Sequence, residues 1–134
     1  MIPAFDNRGY LPPGVHRATL EEVAARFGQG SELRRTQMES VRWMVDLARR
    51  AGIERVILNG SFVTDISDPN DVDCVLLAPE TSTQMNSASG DELVSGLPFL
   101  EIEVVGQEWF DFLSGTFFAT DRRNVSKGLI EVIL

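Results

Sequence analysis

Two short apolar runs, joined by a polar stretch, constrain this chain more than anything else in it. Arg55-Val56-Ile57-Leu58 is apolar and β-branched and closes on Asn59-Gly60-Ser61, which predicts a buried strand ending in a tight turn. Asp71-Val72-Asp73-Cys74-Val75-Leu76-Leu77 then returns to strand composition, with carboxylates alternating with apolar residues at its start. Two neighbouring strands are implied. If they pair, the Gly60-Ser61 turn and the Asp71 end of the second strand lie at one edge of a sheet.

The rest of the chain supplies helices to cover such a sheet. Thr19 and Glu22 have the spacing of a capping box, and Leu20, Val23, Ala24 and Phe27 recur at helical intervals up to Gly28 and Gly30. Ser31 caps a second helix with Leu33, Met38, Val41, Met44, Val45 and Ala48 on one stripe, ended by Arg49, Arg50 and Gly52. Phe99 to Val105 reads as a third strand, Trp109-Phe110-Phe112-Leu113 as a helix, and Leu129 to Leu134 as a closing strand. Residues 79–92, which include Thr81-Ser82-Thr83, are small and polar and read as a loop. Residues 1–18, with Gly9, Pro12, Pro13 and Gly14, read as an extended arm. The expectation is one α+β (α/β) domain over residues 1–134: the arm, helices in 19–52, and a mixed sheet with packed helices in 53–134. No internal repeat is present.

Composition narrows the function. At 134 residues one core is expected. No apolar run approaches the roughly 20 residues that cross a bilayer, and the N-terminus lacks a basic stretch followed by an apolar one, so no membrane contact and a cytoplasmic location are expected. A net charge of -8 disfavours grip on long nucleic acid, which needs a basic face. It does not disfavour a nucleoside triphosphate, because a metal can supply the local positive charge. Cys74 is the sole cysteine, so there is no internal disulfide, and its apolar strand makes it a buried thiol.

In Asp71-Val72-Asp73 the period of a strand sends both carboxylates to one face, with Cα atoms about 7 Å apart. Two acids so close resist ionising together unless a cation lies between them. Mg2+ (or Mn2+) fits, since it takes carboxylate, phosphate and water oxygens together. Gly60 lets the backbone approach a ligand closely, and amides in such a turn suit a phosphate. A third carboxylate is expected from a neighbouring strand, with Glu103 favoured over Glu101. With metals bound there, the chemistry is in-line transfer of a nucleotidyl group with pyrophosphate leaving.

Leu58-Asn59-Gly60-Ser61, nine intervening residues, then Asp71-Val72-Asp73-Cys74 resembles the nucleotidyltransferase superfamily signature of Gly-Ser followed by Asp-hydrophobic-Asp. The gap is at the short end of that family's range. The chain looks like the minimal type, similar to short nucleotidyltransferases that act as antitoxins to a helical HEPN-type toxin. Phe5-Asp6, Gly9, Leu11-Pro12-Pro13-Gly14, Gly60-Ser61-Phe62-Val63-Thr64, Thr120-Asp121-Arg122 and Lys127-Gly128 also resemble a family of short bacterial proteins of this kind. The resemblance implies Asp71, Asp73 and Glu103 (or Glu101) as metal-binding, catalytic acids, with Gly60 and Ser61 toward the phosphates; Thr64 and Lys127 are further candidates toward the nucleotide, with ATP among the nucleotides considered. It implies transfer of a nucleotide monophosphate to a protein or small-molecule hydroxyl. The alternative is a non-catalytic nucleotide- or partner-binding protein that keeps the fold. Transfer to the 3′ end of an RNA is a third possibility, weakened by the charge.

Blander origins compete for several of these residues. Gly-Ser and Asp-Pro-Asn-Asp are common turn sequences. A calcium loop starting at Asp68 fails, because its sixth position is Asp73 and its twelfth Pro79. Glu101 and Glu103 also suit the wet face of an edge strand. His16 reads as a loop residue. Trp109, Phe110, Phe112, Phe117 and Phe118 read as core. Lys127, with Arg122 and Arg123, suits either a triphosphate or a turn into the last strand. Arg34, Arg35, Arg42, Arg49 and Arg50 read as the wet face of the second helix.

Overall fold

The structure, a computed structural model, describes residues 2–79, 87–117, 123 and 125–134. Its frame is a five-stranded mixed sheet: β1 (Gly14–Ala18), β2 (Arg55–Asn59), β3 (Val72–Leu77), β4 (Leu100–Val105) and β5 (Gly128–Val132), in the order β1-β5-β2-β3-β4. The helices are α1 (Leu20–Phe27), α2 (Glu32–Ala51), α3 (Ser87–Ser95) and α4 (Gln107–Phe112). The fold is therefore α+β, with helices on a mixed sheet.

The expected pair is adjacent and antiparallel, with Asn59 opposite Asp73 and Ile57 opposite Val75. β4 runs parallel to β3, and β5 closes antiparallel on the other side of β2. Each strand alternates between two faces. Val56, Leu58, Val72, Cys74, Leu76, Ile130 and Val132 face the main core, where they meet Val23, Val41, Met44, Val45 and Ala48 of α1 and α2. Ile57, Val75, Leu77 and Leu129 face the other way and meet Phe110 of α4. Among the described residues α4 and the π-helical turn that continues it, Leu113–Phe117, pack there, at the Leu77 end. Arg55 lies over the Phe110 ring, 4.9 Å from its centroid, and makes a two-armed ion pair with Glu131 at 2.9 and 2.7 Å.

The helix ends follow local chemistry. Thr19 and Glu22 exchange both bonds of the capping box. Ser31 caps α2, and Gly52, at φ 84°, takes the left-handed conformation that ends it. Two expectations need correction. Residues 14–18 of the arm are a strand, paired in parallel with β5 through Gly14–Gly128 to Ala18–Val132. Within the expected loop 79–92, residues 87–92 belong to α3, which extends to Ser95 and buries Leu93; residues 80–86 lie outside the described residues. No helix of the described residues is long and apolar enough to cross a membrane.

One face of α2 holds the whole connection between β2 and β3. Ser31 Oγ donates to Ser67 O at 3.0 Å. Arg34 donates to the carbonyls of Phe27, Phe62, Thr64 and Ile66, at 2.6 to 3.0 Å. Gln37 Nε2 donates to Pro69 O at 2.8 Å and Asn70 O at 3.1 Å. Spaced by three along the helix, these side chains stack on one side and fix the path by which the chain leaves the turn and enters β3. Arg34 is thus 6% exposed, which corrects its assignment to a wet face. Its place on the stripe of Met38, Val41, Val45 and Ala48 was the available sign.

Candidate functional site

The turn after β2 and the start of β3 meet at one rim. Gly60 has φ 81° and ψ -162°, a region open in practice to glycine alone. A Cβ at Gly60 would fall on the Asp73 carboxylate. The turn thus packs directly against Asp73, on the same side of the sheet. Ser61–Val63 forms a single 3₁₀ turn closed by Val63 N–H on Gly60 O and Thr64 N–H on Ser61 O. Ser61 is half-buried and Asp71, just ahead of β3, is exposed.

Cross-strand register decides which other groups join them. Glu101 stands beside Asp73, whereas Glu103 stands beside Val75, one pleat further along. Glu101, rather than the favoured Glu103, is the glutamate level with Asp73. Burial pushes the Asp73 carboxyl up to about 6, the charges of Glu101 and Asp71 adding to the rise and that of Lys127 opposing it. Lys127, just ahead of β5, is thereby within electrostatic reach of the same carboxylate. Cys74, next along β3, faces the opposite side and is buried, which pushes its thiol up.

Thr64 does not turn its hydroxyl to a ligand. It is 5% exposed, donates to Ser61 O at 2.6 Å and accepts from Ile66 N–H at 3.3 Å; its work is to shape the turn. His16 lies in β1, its Nε2 2.6 Å from Pro12 O. Phe110 is buried as expected, but Trp109 and Phe112 are 62% and 46% exposed, stacked edge to face beside a cavity of about 390 Å³. Phe118, Thr120, Asp121 and Arg122 lie outside the described residues.

Sequence reasoning passed over one member of the rim. Asn59, opposite Asp73, is 1% exposed, and its Oδ1 has no hydrogen-bond partner among the described residues. Its position next to Gly60 was visible, but nothing local marks an asparagine as buried. Among the described residues no three Asp, Glu, His or Cys side chains are grouped so as to hold a metal ion. Asp71 and Asp73 remain as a pair, a normal protein share for magnesium when phosphate and water complete its shell.

Topology and rim define an α+β protein in which, among the described residues, three helices cover one sheet face and α4 with the turn that follows it packs on the other, which carries Asp73. The chain belongs to DUF6932, a family of unknown function, whose family model matches residues 3–133. No curated protein and no solved structure matches the chain.

Proposed function

We propose that this protein is a metal-dependent nucleotidyltransferase that moves a nucleotide monophosphate from a nucleoside triphosphate to a protein or small-molecule hydroxyl. The observation that carries this is the contact between the Gly60 turn and Asp73, which gathers a close-approach bend, two aspartates and Lys127 at one rim. A carboxylate whose charged form is disfavoured by burial and by its acidic neighbours gains from a bound cation.

In this proposal Asp71 and Asp73 hold Mg2+ or Mn2+, which supplies alignment and charge neutralisation for the polyphosphate. Gly60 and Ser61 bring main chain close to the phosphates, and Lys127 adds an ammonium. The acceptor oxygen bonds to the α-phosphorus as the bond to the leaving pyrophosphate breaks, and the acceptor's proton passes to a nearby base. For a protein acceptor a helical HEPN-type toxin partner fits the resemblance, and the proposed location is cytoplasmic.

The test is incubation with labelled ATP, CTP, GTP or UTP, magnesium and the product of a neighbouring gene. Label transfer that survives Asp71→Ala would reject the mechanism.

The absence of a third acid grouped with the pair, among the described residues, favours a second reading: a non-catalytic protein that keeps the fold and acts by occupying a partner. Calorimetry separates the two. Tight binding of a partner with no heat from magnesium and triphosphate would select the second.

A further inference from the structure

Two buried side-chain oxygens lack a hydrogen-bond partner among the described residues, Gln37 Oε1 and Asn59 Oδ1. They stand in different settings. Gln37 belongs to α2 in the helical layer, where its amide nitrogen is already engaged with Pro69 O and Asn70 O. Asn59 is the last residue of β2, directly opposite Asp73. Opposed residues of an antiparallel pair project from the same face with Cβ atoms about 5 Å apart. The bare amide oxygen therefore shares its face with the aspartate at the rim, next to the glycine against which that aspartate packs.

Buried polar atoms in folded proteins almost always have partners, so an orphaned acceptor calls for one. An amide oxygen can accept from a donor or bind a hard cation, and divalent magnesium, manganese and calcium take such neutral oxygens alongside carboxylates. The charge balance favours a neutral group here. The charges of Glu101 and Asp71 already act on Asp73 at this rim, and a further carboxylate would repel it when no cation is bound. An amide adds an oxygen without adding charge. The described residues group no third acid, histidine or cysteine with the aspartates, so a further protein oxygen there would come from a residue of a different kind.

We infer that Asn59 Oδ1 is a ligand of the divalent cation held by Asp71 and Asp73, and that the protein's share of the site is two carboxylates and one amide. This rests on the cation-binding part of the function proposed above, not on catalysis.

The experiment is titration of the full chain with Mn2+ alone, read by calorimetry and by the shift in melting temperature, for wild type, Asp71→Ala, Asn59→Leu and Asn59→Asp. Wild type should bind and Asp71→Ala should not. Asn59→Leu should weaken Mn2+ by at least about tenfold, a loss typical even of groups that only support a ligand. Its metal-free melting temperature should be equal or higher, since an orphaned oxygen is gone. Asn59→Asp should bind Mn2+ more tightly than wild type and melt lower without it. Wild-type affinity in Asn59→Leu overturns the assignment of Asn59 while leaving the aspartate site standing. If Asn59→Leu does not fold, unchanged affinity in Asn59→Asp overturns it equally. No Mn2+ binding by wild type removes the cation reading and this inference together.

Discussion

The Asp73 carboxylate occupies the space in which a side chain at Gly60 would begin. The two residues face each other across the end of the β2–β3 pair, so the bend and the acid cannot be altered independently. Gly60→Ala meets both a forbidden backbone region and a collision, and should cost on the order of 2–3 kcal/mol. Adding Asp73→Ala removes the collision but not the backbone strain. A double-mutant cycle read by urea unfolding should therefore show a coupling of about 1 kcal/mol, and strict additivity would count against the contact.

The Asp73 carboxyl, raised from 3.8 to about 6, makes stability depend on pH in a stated direction. Between those values the folded protein binds more proton than the unfolded chain. Its contribution is fully present below about pH 4 and is lost as the pH rises through about 6. The rise caps the effect at about 3 kcal/mol, and the partial exposure of Asp73 to water reduces it to on the order of 1 kcal/mol. Asp73→Asn should flatten the melting profile between pH 4 and 6 and leave the protein more stable than wild type at pH 7.5 without metal. A wild-type slope retained in the variant would assign the titration to another group.

Arg34 is the largest single tie between α2 and the connection. Arg34→Met would leave the buried carbonyls of Phe27, Phe62 and Thr64, and the part-buried one of Ile66, short of a donor, at a cost of about 3 kcal/mol or more. Arg34→Lys should recover little, because an ammonium does not reproduce the planar fork. Denaturant midpoints test both, and limited proteolysis should cut within residues 64–68 in the variants first.

Phe99 has φ 66° although it is not glycine, is 40% exposed, and offers its carbonyl to Val72 N–H. For a bulky residue that conformation costs about 1–2 kcal/mol. Phe99→Asn, which tolerates it, should leave the protein between equal in stability and about 1 kcal/mol more stable. A clear loss of melting temperature would show that the ring's packing outweighs the strain.

How much of this was legible depended on whether the deciding interaction was local. Both caps of α2 and the capping box of α1 were readable, because Ser31, Gly52, Thr19 and Glu22 act within a turn of their own positions. The strands β2 and β3 were readable from composition, and with them the juxtaposition of Gly60, Asp71 and Asp73. β1 was not, because its partner β5 lies at the other end of the chain. α3 was hidden by its small polar residues, since its burial rests on Leu93 and on packing against α2 and β4. The choice between Glu101 and Glu103 required the β3–β4 register, which no single strand encodes. Arg34 misled because arginine is usually wet, and the carbonyls that accept from it and from Gln37 are invisible in a sequence.

Ser31, Arg34 and Gln37 grip the connection by its carbonyls, and every residue type has one. The exposed Ser67 and Asp68 are therefore nearly interchangeable as far as the route of the chain is concerned. Relatives can be expected to differ freely there while tracing the same curve, so that the outward lettering of this segment evolves on its own and the rim beneath it keeps its shape.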